Sequence, residues 1–87
     1  MTKKEVTIQL ENGLEARPVA MLVQLASQFE SEIYIESENR KVNAKSIMGM
    51  MTLGLGHGEN VVVYANGEDE EEAATSIGQY LVSQNEK

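Results

Sequence analysis

Residues 13–18 read GLEARP and set two opposite charges two positions apart, Glu15 and Arg17. A carboxylate between a glycine turn and a proline that opens a helix admits three roles. It is a catalytic base, a partner for the helix dipole, or a residue standing where another type acts in related chains. Arg17 brings a planar fork suited to bidentate pairing with phosphate or carboxylate. Two further residues could take part in chemistry: the lone histidine, His57, in GLGHGE, and Ser46 in AKSIMGMMTL. His57 stands far along the chain from Glu15 with no recognisable partner. It reads as an ordinary loop residue, because general acid–base catalysis needs oriented neighbours. Ser46, taken alone, reads as a helix N-cap.

The elements that must position these residues follow from periodicity. Val6, Ile8 and Leu10 alternate with Thr7 and Gln9, predicting a strand with one buried face that ends at Asn12–Gly13. Val19, Leu22, Val23, Ala26 and Phe29 then recur at three- and four-residue steps, the stripe of an amphipathic helix with Pro18 in its first turn. Ile33 and Ile35 alternate around Tyr34, and the polar turn ESENRK leads to a short return strand near Val42. AKSIMGMMTL predicts a short helix capped by Ser46, with Ile47, Met48 and Met51 on one side; Gly54, Gly56 and Gly58 end it in a loop. NVVVYAN is a β-branched fourth strand. The last helix opens with Asp69 and Glu72 as a cap pair and carries Ala73, Ile77, Tyr80 and Leu81 inward. The order is βαββαβα, an α+β two-layer sandwich in which helices cover one sheet face and Thr7 and Gln9 turn toward water on the other.

Composition bounds the function. A chain of 87 residues forms a single domain over 1–87 and has little interior to spare for an enclosed active site, so function is expected on the surface. A formal net charge of -7 opposes direct binding to nucleic acid, whose phosphates call for clustered lysine and arginine. The chain has no cysteine and one histidine, which leaves no common zinc-ligand set, and no metal or cofactor is expected. It has no apolar run of membrane-spanning length and no signal-peptide core in MTKKEVTIQL, so a cytosolic protein is expected. The acidic run GEDEEEAA reads as a solvated face whose charge also suits a helix N-terminus.

Two long stretches, GLEARPVAMLVQLASQF and KVNAKSIMGMMTLGLGHGENVVVYANGEDEEEA, resemble the HPr family, the small phosphocarrier proteins of the bacterial sugar phosphotransferase system. The resemblance covers almost the whole chain. It implies an HPr-like open-faced sandwich, a four-stranded antiparallel sheet covered on one face by three helices. Phosphate-carrying members have histidine in the GIHARP-like motif, where Enzyme I charged by phosphoenolpyruvate phosphorylates the ring. This chain has Glu15 there, a degenerate phosphocarrier position, and keeps Arg17. An acyl phosphate on Glu15 is chemically possible, although an anion repels an incoming phosphoryl group.

The resemblance gives Ser46 a second role. Gram-positive HPr proteins are phosphorylated at the matching serine by the ATP-dependent HPr kinase/phosphorylase. A phosphate adds about -1.5 to -2 charges where helix N–H groups favour an anion. Loss of the carrier residue with retention of the serine is similar to the Crh (catabolite-repression HPr) branch, although that branch carries an uncharged glutamine where this chain has Glu15. The resemblance then implies a non-enzymatic regulator that binds the repressor CcpA once Ser46 is phosphorylated. Arg17, Lys45, Ile47 and Met48 would form the docking face, with Met51 beside it. Methionines suit such a surface because their thioethers adapt to a partner. Two alternatives stay open: a phosphocarrier acting through Glu15, and an allosteric binder of a metabolic enzyme. The expected oligomeric state is a monomer or a weak homodimer.

Overall fold

The computed structural model describes residues 1–9, 16–54 and 56–82. Its elements run β1 (Thr2–Thr7), α1 (Ala16–Ala26), β2 (Glu32–Ser37), β3 (Arg40–Asn43), α2 (Ile47–Met51), β4 (Asn60–Asn66) and α3 (Glu70–Leu81). The strands form one antiparallel sheet in the order β1-β4-β2-β3. This is the α+β open sandwich expected from the sequence, with three helices on one face.

Alternation decides which side of each strand is buried. Val61, Val63 and Ala65 of β4 and Ile33 and Ile35 of β2 face the helices. They meet Val19, Leu22 and Ala26 of α1, Met50 of α2, and Ala73, Ala74, Ile77 and Leu81 of α3, all fully buried. The open face carries Tyr34, Tyr64, Glu36 and Lys41, and the Lys41 ammonium lies 4.3 Å from the Tyr64 ring centroid, a cation–π distance. Thr7 is on this face too, its hydroxyl donating to Asn60 Oδ1 at 2.6 Å. The Tyr64 hydroxyl donates to Glu36, and that bond pushes its pKa up. The β2–β3 hairpin turns at Glu38 and Asn39, both with positive φ, 51° and 72°. Paired positive φ values match the right-handed strand twist in two-residue hairpins.

Three expectations are corrected. β1 ends at Thr7 rather than at Asn12–Gly13: the backbone bonds of Ile8 go to Glu59 and Gly58, outside the β1–β4 ladder. Leu10, Asn12 and Gly13 lie outside the described residues. Phe29 belongs to the apolar stripe but not to the helix, for α1 stops at Ala26 and Phe29 packs half-buried from the turn that follows. Asp69 occupies the N-cap position of α3 but makes no side-chain capping bond. Its carboxylate instead accepts from the backbone N–H of Glu30 and of Ser31, each at 3.0 Å, and from the Ser31 hydroxyl.

Candidate functional site

The short helix α2 carries the residue with the clearest chemistry. Ser46 is extended, with φ -113° and ψ 114°, and its hydroxyl oxygen accepts from the Gly49 N–H at 3.1 Å, the N-cap geometry expected from sequence. Asn43 shapes the approach: its side chain accepts from the Lys45 N–H at 2.7 Å and its carbonyl from the Ser46 N–H at 3.0 Å. Gly49 packs close to the serine: a Cβ there would come 3.3 Å from Ser46 Oγ and 3.6 Å from Val42 Cβ. Ser46 is half-buried, and its partner is a backbone amide rather than a base. A backbone donor of this kind caps the helix and does not activate the hydroxyl as a nucleophile.

Beside Ser46, α2 turns three apolar side chains outward. Met48 is 80% exposed, Met51 49% and Ile47 47%, while Met50 between them is fully buried and anchors α2 to the core. Packing thus separates the methionines: one holds the helix down and two, with Ile47, face outward. Met51 joins Ile47 and Met48 on the outside. On α1, which packs against α2, Met21 is 54% exposed. Sequence reasoning missed Met21, and its signal was an apolar residue off the Val19–Leu22–Val23–Ala26 stripe.

Arg17 is exposed on the first turn of α1, and an ion pair among the described residues lies elsewhere, between the Met1 ammonium and Glu70 at 3.0 Å. Lys45 is committed differently: its ammonium donates to the Phe29 carbonyl at 2.7 Å, tying the start of α2 to the exit of α1. The Tyr80 hydroxyl reaches the Pro18 carbonyl at 3.0 Å and so braces the turn that carries Arg17 against α3. Glu15 lies outside the described residues. His57 is exposed in the loop after α2, away from Ser46 along the chain.

Charge divides the helices. Neither α1 nor α2 contains an acidic residue, whereas the first turn of α3 is Glu70, Glu71 and Glu72. Glu70 is held below the usual carboxylate range by the Gly67 N–H first, then by the amino terminus and the Thr2 hydroxyl. Asp69 is lowered chiefly by the Ser31 hydroxyl and then by the Glu30 N–H. Among the described residues no group of three histidines, cysteines or carboxylates is placed to hold a metal ion. No described helix is long and apolar enough to cross a membrane.

Comparison with known proteins agrees with this architecture. Residues 2–83 match the family model of the PTS HPr component phosphorylation site. An HPr-like protein Crh from Halalkalibacterium halodurans is 48% identical over 77 residues, which is 88% of this chain and 92% of that protein. Among solved structures, HPr-C-His from Thermoanaerobacter tengcongensis superposes with a TM-score of 0.92 at 46% identity, over 97% of this chain and 94% of that one. The crystal structure of Bacillus subtilis Crh, described as a swapped dimer, gives a TM-score of 0.78 at 41% identity with both chains wholly covered.

Proposed function

This chain belongs to the HPr family, and from that premise we propose that it is a non-enzymatic cytosolic regulator of the Crh type, switched by phosphorylation of Ser46. One observation carries the reading: the capping serine stands on a helix that exposes Ile47, Met48 and Met51 and bears no carboxylate, while the carrier position holds Glu15. HPr kinase/phosphorylase is the modifying enzyme in this reading, and the phosphoprotein then binds CcpA as corepressor, with CcpA alone touching DNA. Phosphate on Ser46 adds about -1.5 to -2 charges and three acceptor oxygens beside an apolar ridge. Arg17, exposed on the adjacent α1, supplies a fork for acidic groups of the partner. Lys45, next to Ser46, is the other cation of this face, and in the unmodified protein its ammonium holds the start of α2 to the turn after α1. Likeness to the Crh crystal makes a swapped dimer the oligomer to expect beside the monomer.

Glu15 in this reading ends histidine phosphotransfer without supplying a substitute. Incubation with HPr kinase and ATP, in parallel with Enzyme I and phosphoenolpyruvate, followed by intact mass and site mapping, tests the proposal. The expected result is one phosphate on Ser46 in the first reaction alone and CcpA binding by that product. Label on Glu15 in the second reaction overturns it in favour of a carrier, and so does a Ser46→Ala variant that binds CcpA as tightly as the phosphoprotein.

A further inference from the structure

The peptide unit joining Phe29 to Glu30 is gripped at both ends by charged side chains. Its carbonyl accepts from the Lys45 ammonium at 2.7 Å, and its N–H donates to Asp69 Oδ2 at 3.0 Å. Lys45 directly precedes Ser46, and its own backbone N–H is fixed on Asn43. Asp69 in turn stands at the head of α3 and also holds the Ser31 N–H and hydroxyl. A single chain of hydrogen bonds therefore runs from the residue next to Ser46, through one peptide group, to the start of a helix on another part of the molecule.

Hydrogen bonds in such a chain polarise one another. A cation on the carbonyl makes the N–H of the same peptide a better donor, which strengthens its bond to Asp69. The Lys45 ammonium, however, is bound to a neutral carbonyl. That bond is already charge-assisted, but an anion adds the attraction of opposite charges, which a carbonyl lacks, so negative charge on the adjacent serine competes for that ammonium.

We propose that Lys45 is the internal receiver of charge placed on Ser46, and that the Phe29–Glu30 peptide passes the change to Asp69 and the head of α3. In the uncharged state Lys45 is a strut between the turn after α1 and the start of α2. Negative charge on Ser46 draws the ammonium off the Phe29 carbonyl, and the grip of Asp69 on Glu30 loosens. The inference rests on Ser46 as the modified residue but requires no repressor.

The experiment is amide hydrogen exchange and proton–nitrogen correlation spectroscopy on the full chain, comparing the parent with Ser46→Asp, Lys45→Met and the double variant. In Ser46→Asp the Glu30 amide is expected to exchange at least about twofold faster and to move upfield, as a weakened donor does. Lys45→Met alone should reproduce that change, and adding Ser46→Asp to it should bring no more. Lys45→Gln, which keeps the stem and a neutral donor, serves if Lys45→Met does not fold, and its Glu30 amide should likewise ignore Ser46→Asp. A Glu30 amide that ignores Ser46→Asp in the parent overturns the proposal, and so does one that responds equally with and without Lys45. Repressor binding is not read in any arm, so failure of the proposed function would leave this result standing, and the reverse.

Discussion

α2 and α3 begin alike in sequence, each with a residue of good capping type, and the structure uses the two in opposite ways. Ser46 turns back onto its own helix and accepts from Gly49. Asp69 turns away from α3 and fastens the α1–β2 connection, taking the N–H groups of Glu30 and Ser31. The difference lies in what passes nearby. Gly67, φ 155°, lets the chain before α3 run so close to Ser31 that a Cβ would sit 2.7 Å from the Ser31 Cα. With that loop in contact, a carboxylate gains more from two amides and a hydroxyl than from one amide of its own helix, because bonds to a charged acceptor are the strong ones. Ser46, by contrast, keeps its hydroxyl on the Gly49 N–H of its own helix. One N-terminus became a fastening between distant segments, and the other kept its cap within its own helix.

The sharpest way to break the comparison is to push the fastening apart. Gly67→Ala puts a methyl 2.6 Å from Ser31 Oγ and 2.7 Å from backbone, and neither can retreat cheaply. Overpacking and backbone strain together should cost about 2–4 kcal/mol, read as a lowered urea midpoint with unchanged slope. The corresponding insult at the other helix, Ser46→Ala, should cost only about 1 kcal/mol, the usual value of a lost N-cap. If the two variants lose equal stability, the fastening is no stronger than the cap.

How much of this was legible beforehand follows from distance along the chain. The strands β2 and β4 could be read because an alternation of period two is local, and the cap at Ser46 because its acceptor bond spans three residues. The role of Asp69 could not be read, since its partners lie 38 and 39 residues away and only the fold brings them together. Lys45 was similar: sequence offered a cation for a docking face, and the tertiary structure spends its ammonium on a carbonyl 16 residues back. Met50 and Met48 are the same residue type two positions apart, and only packing assigns one inward and one outward. Glu15, on which the carrier question turned, falls outside the described residues.

Acid sharpens the contrast. Asp69 has a folded pKa below that of the unfolded chain, held down mainly by the Ser31 hydroxyl and then by the Glu30 N–H. Its contribution to stability is therefore fully present above the ordinary carboxylate range and disappears as pH falls through the lowered folded value. Urea midpoints measured from pH 6 downward should drop less steeply in Asp69→Asn than in the parent. Glu70, also lowered, retains its share in both proteins. Identical acid slopes would mean that the Asp69 bonds add nothing to folding. Ser46→Ala removes no ionisable group and should keep the full slope of the parent.

The smallest expected effect on stability falls at the most exposed position. Met48 at 80% exposure contributes little to the core, so Met48→Ser should change the urea midpoint by no more than about 0.5 kcal/mol equivalent. Its effect on docking should be larger, because exposed methionines on a protein surface gain their energy only when a partner covers them. With Ser46 phosphorylated, Met48→Ser should weaken CcpA binding by tenfold or more, or about 1.4 kcal/mol, while a change on the open sheet face, Glu5→Gln, leaves binding as it was. If instead Met48→Ser binds CcpA normally, the apolar ridge of α2 is not the docking face.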